Sequence, residues 1–254
     1  MLSVTHWGGS GSPVYFIHGF AADSQSWVAN VSAVTGAFSA YGIDLPAHGA
    51  SHAVPCAATL SGMATQVANV IDTSAPCHLV GHSVGAAIAM LCAVQLPVLS
   101  VSLVSPVGLG QGVNSAFINS VTTSHSNREI KALLQSMVVN KRLISDQVVQ
   151  HFSHHIQRPD VRENLQIAAA AILQAVDYQS GTTELDRAVA AVVAGDIPRQ
   201  VFWGMQDNIN PINPSDQQHF GGEWYIYEDC GHLPQIECWS RYNDALKAFI
   251  STRG

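Results

Sequence analysis

Gly81-His82-Ser83-Val84-Gly85 follows the apolar run Cys77-His78-Leu79-Val80 and precedes the uncharged stretch Ala86 to Leu96. Together these three segments read as a strand, a tight turn and a helix that meet at one serine. Glycines at 81 and 85 permit a sharp strand-to-helix turn, because a Cβ at either position would crowd neighbouring backbone while Ser83 is held in an unfavourable conformation. Such a turn lifts the Ser83 hydroxyl clear of the sheet. It also sets the backbone N–H of Val84 in the first turn of the helix, where unpaired donors and the positive dipole end can receive a developing oxyanion. The pentapeptide has the form of a nucleophile elbow. Gly-rich turns also serve purely structural ends, so the rest of the chain must decide.

Three further segments bear on it. Val14-Tyr15-Phe16-Ile17-His18-Gly19-Phe20 is an apolar strand ending in His-Gly. Gly204-Met205-Gln206-Asp207 follows the strand-like Arg199 to Trp203 and puts a carboxylate just past its end. Cys230-Gly231-His232-Leu233-Pro234 follows the strand-like Trp224 to Tyr227, a short helix away from residue 254. A serine hydroxyl is a poor nucleophile at neutral pH, so a base within hydrogen-bond reach must take its proton and later return it to the leaving group. His232 is the candidate base and Asp207 the candidate acid that accepts its Nδ1 proton, fixing the tautomer and stabilising the imidazolium.

In this order, Ser83, Asp207, His232, the chain resembles the α/β-hydrolase fold and differs from the chymotrypsin and subtilisin arrangements. The resemblance implies that residues 18–24 form an oxyanion loop, with the N–H of Phe20 and that of Val84 as the two donors. It also implies that His18 orders this loop by hydrogen bonding rather than transferring protons. Ser105-Pro106-Val107 stands where some relatives carry the acid, so Asp207 has no competitor there. Asp44 to Ser51, Val104 to Gly110, His18 to Trp27 and Ser126 to Leu134 narrow the likeness. They resemble the hydrolase-fold domain associated with the dihydrolipoamide acetyltransferase component of acetoin-cleaving complexes. Those proteins carry an N-terminal lipoyl domain and this sequence opens on the hydrolase domain, so a free-standing hydrolase is the expectation.

Of the twelve histidines, only His232 has the order and setting of a base. His151, His154 and His155 cluster on an expected helix without acidic or cysteine partners at ligand spacing, so no metal site is expected. The five cysteines are an odd number without the spacing of a disulfide scaffold. Cys77 and Cys92 read as small buried hydrophobes, and Cys230 as a residue near the site with no catalytic role. Nothing in the sequence calls for a cofactor.

The 254 residues are 47% apolar, enough for one compact core. A net charge of -7 without a Lys or Arg cluster argues against a nucleic-acid partner. No run approaches the ~20 apolar residues that span a bilayer, and no basic leader precedes an apolar stretch. A soluble, cytoplasmic protein acting on a small acyl substrate is expected, with no membrane partner.

Short apolar strands at about 14–18, 38–43, 77–82, 99–104, 199–203 and 223–228, alternating with helical segments, predict an α/β fold with a mostly parallel sheet covered on both faces. Ala86 to Leu96 should be a buried helix stopping at Pro97. Leu2 to Trp7 is the only material for a leading antiparallel strand. Nearly a hundred residues separate the strands at 99–104 and 199–203, too many for a simple crossover. Residues 107–195 are therefore expected to form a helical lid over a core of 1–106 and 196–254. Ser126-Asn127-Arg128-Glu129 reads as a capping box opening its first helix, Val148, Val149 and Phe152 mark a second, Asp160 to Val176 a third and Glu184 to Ala194 a fourth.

The chemistry expected is hydrolysis of a small or medium carboxylic ester through an acyl-enzyme. Three alternatives stand beside it: acyl transfer to a thiol or alcohol, carbon–carbon bond hydrolysis, and a ligand sensor with residual activity. Dehalogenation and epoxide opening are disfavoured, since relatives that do them place aspartate where this chain has Ser83.

Overall fold

A computed structural model describes residues 1–177 and 181–253. Seven strands form one sheet: β1 (Val4–Gly8), β2 (Pro13–Ile17), β3 (Ser39–Ile43), β4 (Cys77–His82), β5 (Val98–Val104), β6 (Arg199–Gly204) and β7 (Glu223–Tyr227). Their spatial order is β1-β3-β2-β4-β5-β6-β7. Only β1 runs antiparallel, against β3, and the remaining pairs are parallel.

Successive residues of a strand face opposite sides, so two cores form. Tyr15, Ile17, Leu79, Val101, Leu103 and Val201 point to one side. There α2 (Leu60–Ala68), α3 (Val84–Ala93) and α8 (Glu184–Ala194) cover them, with α3 packed against both of the others. Val14, Phe16, Val80, Val104 and Phe202 point to the other side, under α1 (Val28–Val34) and α11 (Trp239–Ser251). Each fully buried large aliphatic or aromatic side chain contributes about 1.5–3 kcal/mol of transfer free energy. A sheet buried on both faces explains why β4 and β5 read as continuous apolar runs.

Every residue of α3 is buried. It ends at Ala93, three residues short of the expected Leu96. Gln95 N–H and Leu96 N–H both turn back to the Cys92 carbonyl at 2.9 Å. Proline disfavours helical geometry at the residue before it, here Leu96, and the exposed Val94 already lies outside the core.

Between β5 and β6 lie α4 (Ser115–Thr123), α5 (Asn127–Ser136), α6 (Asp146–Ile156), α7 (Pro159–Ala175) and α8. The capping box is present: Ser126 Oγ accepts from Glu129 N–H, and the Glu129 carboxylate accepts from Ser126 N–H. The segment thus holds one helix more than the sequence signalled. In α4, Phe117, Ile118, Val121 and Thr122 are buried at helical spacing and Asn114 caps the first turn, but β-branched and small polar residues mute the pattern. Short α9 (Asp216–Phe220) precedes β7, and α10 (Pro234–Glu237) precedes α11. Among the described residues, no helix is long and apolar enough to cross a membrane.

Candidate active site

Ser83 joins β4 to α3 with φ 56° and ψ -119°, a conformation L residues rarely adopt. The turn is held from three sides. Ser83 N–H donates to Val104 O at 2.8 Å, while its carbonyl accepts from Ala86 N–H and Val107 N–H. A Cβ on Gly81 would collide with the backbone of Gly85 and Ala86, and one on Gly85 with the carbonyls of Ile17 and His18. Side chains are excluded at both positions because α3 starts flush against the ends of β2 and β4.

The loop after β2 approaches the same point. His18 Nδ1–H donates to Gly19 O at 2.8 Å, and His18 Nε2 accepts from Leu45 N–H at 3.0 Å. In a trans peptide the carbonyl and the following N–H point in opposite directions, so holding Gly19 O aims the Phe20 N–H the other way. His48 completes the clamp: its Nδ1–H donates to Pro46 O at 2.7 Å and its Nε2 accepts from Ala21 N–H at 2.9 Å. Ala21 sits at φ 59°. Burial lowers the pKa of both imidazoles, and both serve as neutral donor–acceptor struts. The N–H groups of Phe20 and Val84 have no hydrogen-bond partner among the described residues.

Asp207 lies beyond the end of β6, buried. Its Oδ1 accepts from the N–H groups of Ile209 and Asn210, each at 2.9 Å, and its Oδ2 accepts from His232 Nδ1–H at 2.8 Å. Burial favours the neutral acid, but the His232 charge and hydrogen bond, with the two amide donors, outweigh it and leave the pKa lowered. Asn210 anchors this turn, accepting from Trp203 Nε1–H and donating to the carbonyls of Ser105 and Pro106.

His232 lies past β7 and is also buried. Its backbone N–H donates to Met137 O at 2.7 Å and its carbonyl accepts from His82 Nε2–H at 2.9 Å. The His82 and His232 rings are 4.8 Å apart. With Nδ1–H given to Asp207, Nε2 keeps its lone pair. The structure therefore brings residues 82, 207 and 232 into one hydrogen-bonded group beside Ser83. No direct hydrogen bond joins Ser83 Oγ to His232 Nε2 among the described residues, and such contacts often tighten only when substrate is bound.

A cavity of about 190 Å³ opens beside the elbow. Gly19, Phe20 and His82 form its floor, and Leu134, Val138 and Phe152 of the inserted segment form part of its roof. A larger open groove of about 480 Å³ shares Ala22, Ser26, Val148, Phe152 and Ile236 with it. At the groove's rim His151 Nε2 meets Asp23 Oδ2 at 2.6 Å, an acid partner that no local spacing announced. Cys230 lies in the opposite core among residues such as Tyr242, away from this cavity, and all five cysteines are free.

Glu237 was not singled out from the sequence. Its Oε1 accepts from Gly231 N–H and its Oε2 from Val139 N–H, both at 2.7 Å, tying the His232 loop to the chain after α5. Its only sequence signal is an acid in the first turn of a Pro-opened helix.

A sequence profile of the Alpha/beta hydrolase family matches residues 14–245. The chain is similar to the dihydrolipoyllysine-residue acetyltransferase component of the acetoin cleaving system of Cupriavidus necator, 31% identical over 247 residues, which is 96% of this chain. It spans 64% of that relative's length. Among solved structures, a mutant meta-cleavage product hydrolase from Pseudomonas fluorescens superposes with a TM-score of 0.81 at 17% identity, covering 100% of this chain and 96% of that one. A thermophilic esterase from Thermogutta terrifontis gives 0.77 at 20% identity, covering 99% and 93%. These two likenesses speak to the fold alone. The profile match over most of the sequence agrees with the elbow, strand order and sheet pairing described above: the chain belongs to the alpha/beta hydrolase family.

Proposed function

We propose that this protein is a serine hydrolase that cleaves a small or medium carboxylic ester through an acyl-enzyme. The observation that carries this reading is the Asp207–His232 hydrogen bond beside a strained Ser83 flanked by two unpaired amides. In the first half-reaction Ser83 Oγ attacks the ester carbonyl as its proton passes to His232 Nε2. The carbonyl oxygen becomes an oxyanion received by the N–H groups of Phe20 and Val84, each contributing about 3 kcal/mol. The C–O bond then breaks, and His232 returns the proton to the departing alkoxide. In the second half, water gives a proton to His232, its oxygen attacks the acyl carbon, and Ser83 leaves with the proton restored.

Residues 107–195 act in this reading as a lid over a core of 1–106 and 196–254. The enclosed cavity, near 190 Å³, falls below the ~300–1,000 Å³ of sites for drug-sized ligands, which favours a short acyl group there. The neighbouring groove suits the leaving group.

Fluorophosphonate should label Ser83, and Ser83→Ala should abolish turnover of p-nitrophenyl butyrate. Full retained activity would remove Ser83 from the mechanism, and an unreactive Ser83 would favour a ligand sensor. A second reading, acyl transfer, draws support from the similarity to the acetyltransferase component, of which the chain spans 64%. Offering a thiol or alcohol acceptor with the ester and measuring acylated acceptor against free acid separates the two.

A further inference from the structure

The cavity beside Ser83 is walled mainly by hydrocarbon, with three polar side chains on its lining: Ser26, His82 and Gln235. Ser26 already donates to Asp23 O at 2.7 Å. The other two are different. His82 is 5% exposed and Gln235 1% exposed, yet each keeps polar atoms without a protein partner among the described residues.

The protonation pattern of His82 follows from its neighbour. His82 Nε2 lies 2.9 Å from a carbonyl oxygen, which can only accept, so Nε2 carries the proton and Nδ1 is a bare lone pair. Burial, then the adjacent His232, lowers its pKa to about 3, which keeps the ring neutral. Nδ1 lies close to the nucleophile: a methyl-sized probe on Gly19 would touch His82 Nδ1 at 2.8 Å and Ser83 Cβ at 3.3 Å. Gln235 lines the same cavity; its Oε1 is buried and unpaired, and its Nε2 has no partner among the described residues. His82 Nδ1 and Gln235 Nε2 are thus an acceptor and a donor left free to meet a ligand in a cavity otherwise lined by hydrocarbon, where a polar atom without a partner is disfavoured.

Resting on the serine-hydrolase reading, the geometry points to a polar subsite formed by His82 Nδ1 and the Gln235 carboxamide that receives a hydroxyl group on the second or third carbon of the acyl chain. A hydroxyl is the smallest group that suits both partners. Its proton goes to His82 Nδ1, and its oxygen accepts from the Gln235 amide. The lone pair next to Ser83 places that hydroxyl within one or two carbons of the reacting carbonyl, and the apolar wall takes the rest of the chain. The preferred substrate class is thus an ester of a short hydroxy acid rather than of a plain fatty acid. His82 and Gln235 set specificity here, and His82 also supports the backbone of His232.

The test compares wild-type kcat/KM for p-nitrophenyl butyrate with that for the 2-hydroxybutyrate and 3-hydroxybutyrate esters, each enantiomer separately, every value divided by the ester's alkaline hydrolysis rate. At least one hydroxy ester should exceed butyrate by about tenfold or more. Butyrate matching or exceeding all of them, with Ser83 still labelled by fluorophosphonate, overturns the subsite and leaves the hydrolase reading intact. Loss of labelling together with inactivity on every ester overturns both. Gln235→Leu should drive the ratio of hydroxy to plain ester toward one, and an unchanged ratio removes Gln235 from the subsite. The free acids give a readout that needs no variant. The favoured hydroxybutyrate should inhibit wild-type turnover at about one tenth the concentration butyrate requires, and equal inhibition counts against the proposal.

Discussion

The Asp207 carboxylate is shut away from water yet ionised, because His232 and two backbone amides together compensate what burial costs it. Replacing it with asparagine preserves volume and leaves Ile209 and Asn210 an oxygen to bond, but offers His232 Nδ1 an ambivalent partner. The imidazole would then settle in the wrong tautomer in much of the population. For Asp207→Asn the expected loss is about ten-thousandfold in kcat with little change in KM, measured by steady-state hydrolysis of p-nitrophenyl butyrate. A loss of less than tenfold would take Asp207 out of the reaction. Ser83, Asp207 and His232 were legible in the sequence because each sits at the end of an apolar run with a distinctive turn. His82 and Gln235 were not. What matters about them is an unmatched lone pair and an unmatched amide, properties of three-dimensional surroundings that no run of letters encodes.

Among the elements, α10 has four residues, yet its Glu237 joins the turn before His232 to the chain following α5. A charged acceptor for backbone donors contributes about 1.5–3 kcal/mol where it is sheltered, and less at this half-buried position. Glu237→Ala should lower Tm by several degrees and reduce kcat/KM about tenfold through a loosened His232 loop. Glu237→Gln, which retains one good acceptor, should recover part of both. Thermal melting with ester kinetics on the two variants checks this, and full activity in Glu237→Ala would mean that the loop holds itself. The strands were recoverable to within a residue or so, since β-branched and apolar runs bounded by turns have few other uses. Helices α5 to α8 announced themselves through caps and spacing. α4 did not, because Ser115 to Thr123 is rich in residues that favour strands and turns, and packing against α5 and α7 with the Asn114 cap holds it helical.

At the scale of the whole molecule, one property is shared by many parts: His18, His48, His78 and His82 are buried, and burial lowers each pKa, to about 4 for His78 and about 3 for His82. In the unfolded chain the same rings protonate near pH 6.5. Below that point the unfolded state binds more protons than the folded one, so stability rises with pH across the window. Their contribution is complete above about pH 6.5 and is lost progressively as pH falls toward about 4 and below. Calorimetry should show a level Tm between about pH 7 and 8 and a steep decline from about 6.5 to 4.5, with more than one proton taken up on unfolding at about pH 5. A flat Tm across that acid range would mean the rings are hydrated in the folded protein. The twelve histidines were visible in composition, but their burial depended on a sheet that had first to be assembled. That sheet has one more consequence. β5 and β6 are hydrogen-bonded neighbours, so the detour from Pro106 to Ile197 departs and returns between adjoining strands, and none of its described residues belongs to a strand of the sheet. The helices of this insertion can therefore change without redrawing the sheet, provided that its contacts to the site are kept. Any replacement must still extend a carbonyl, as Met137 does now, to catch the amide of His232.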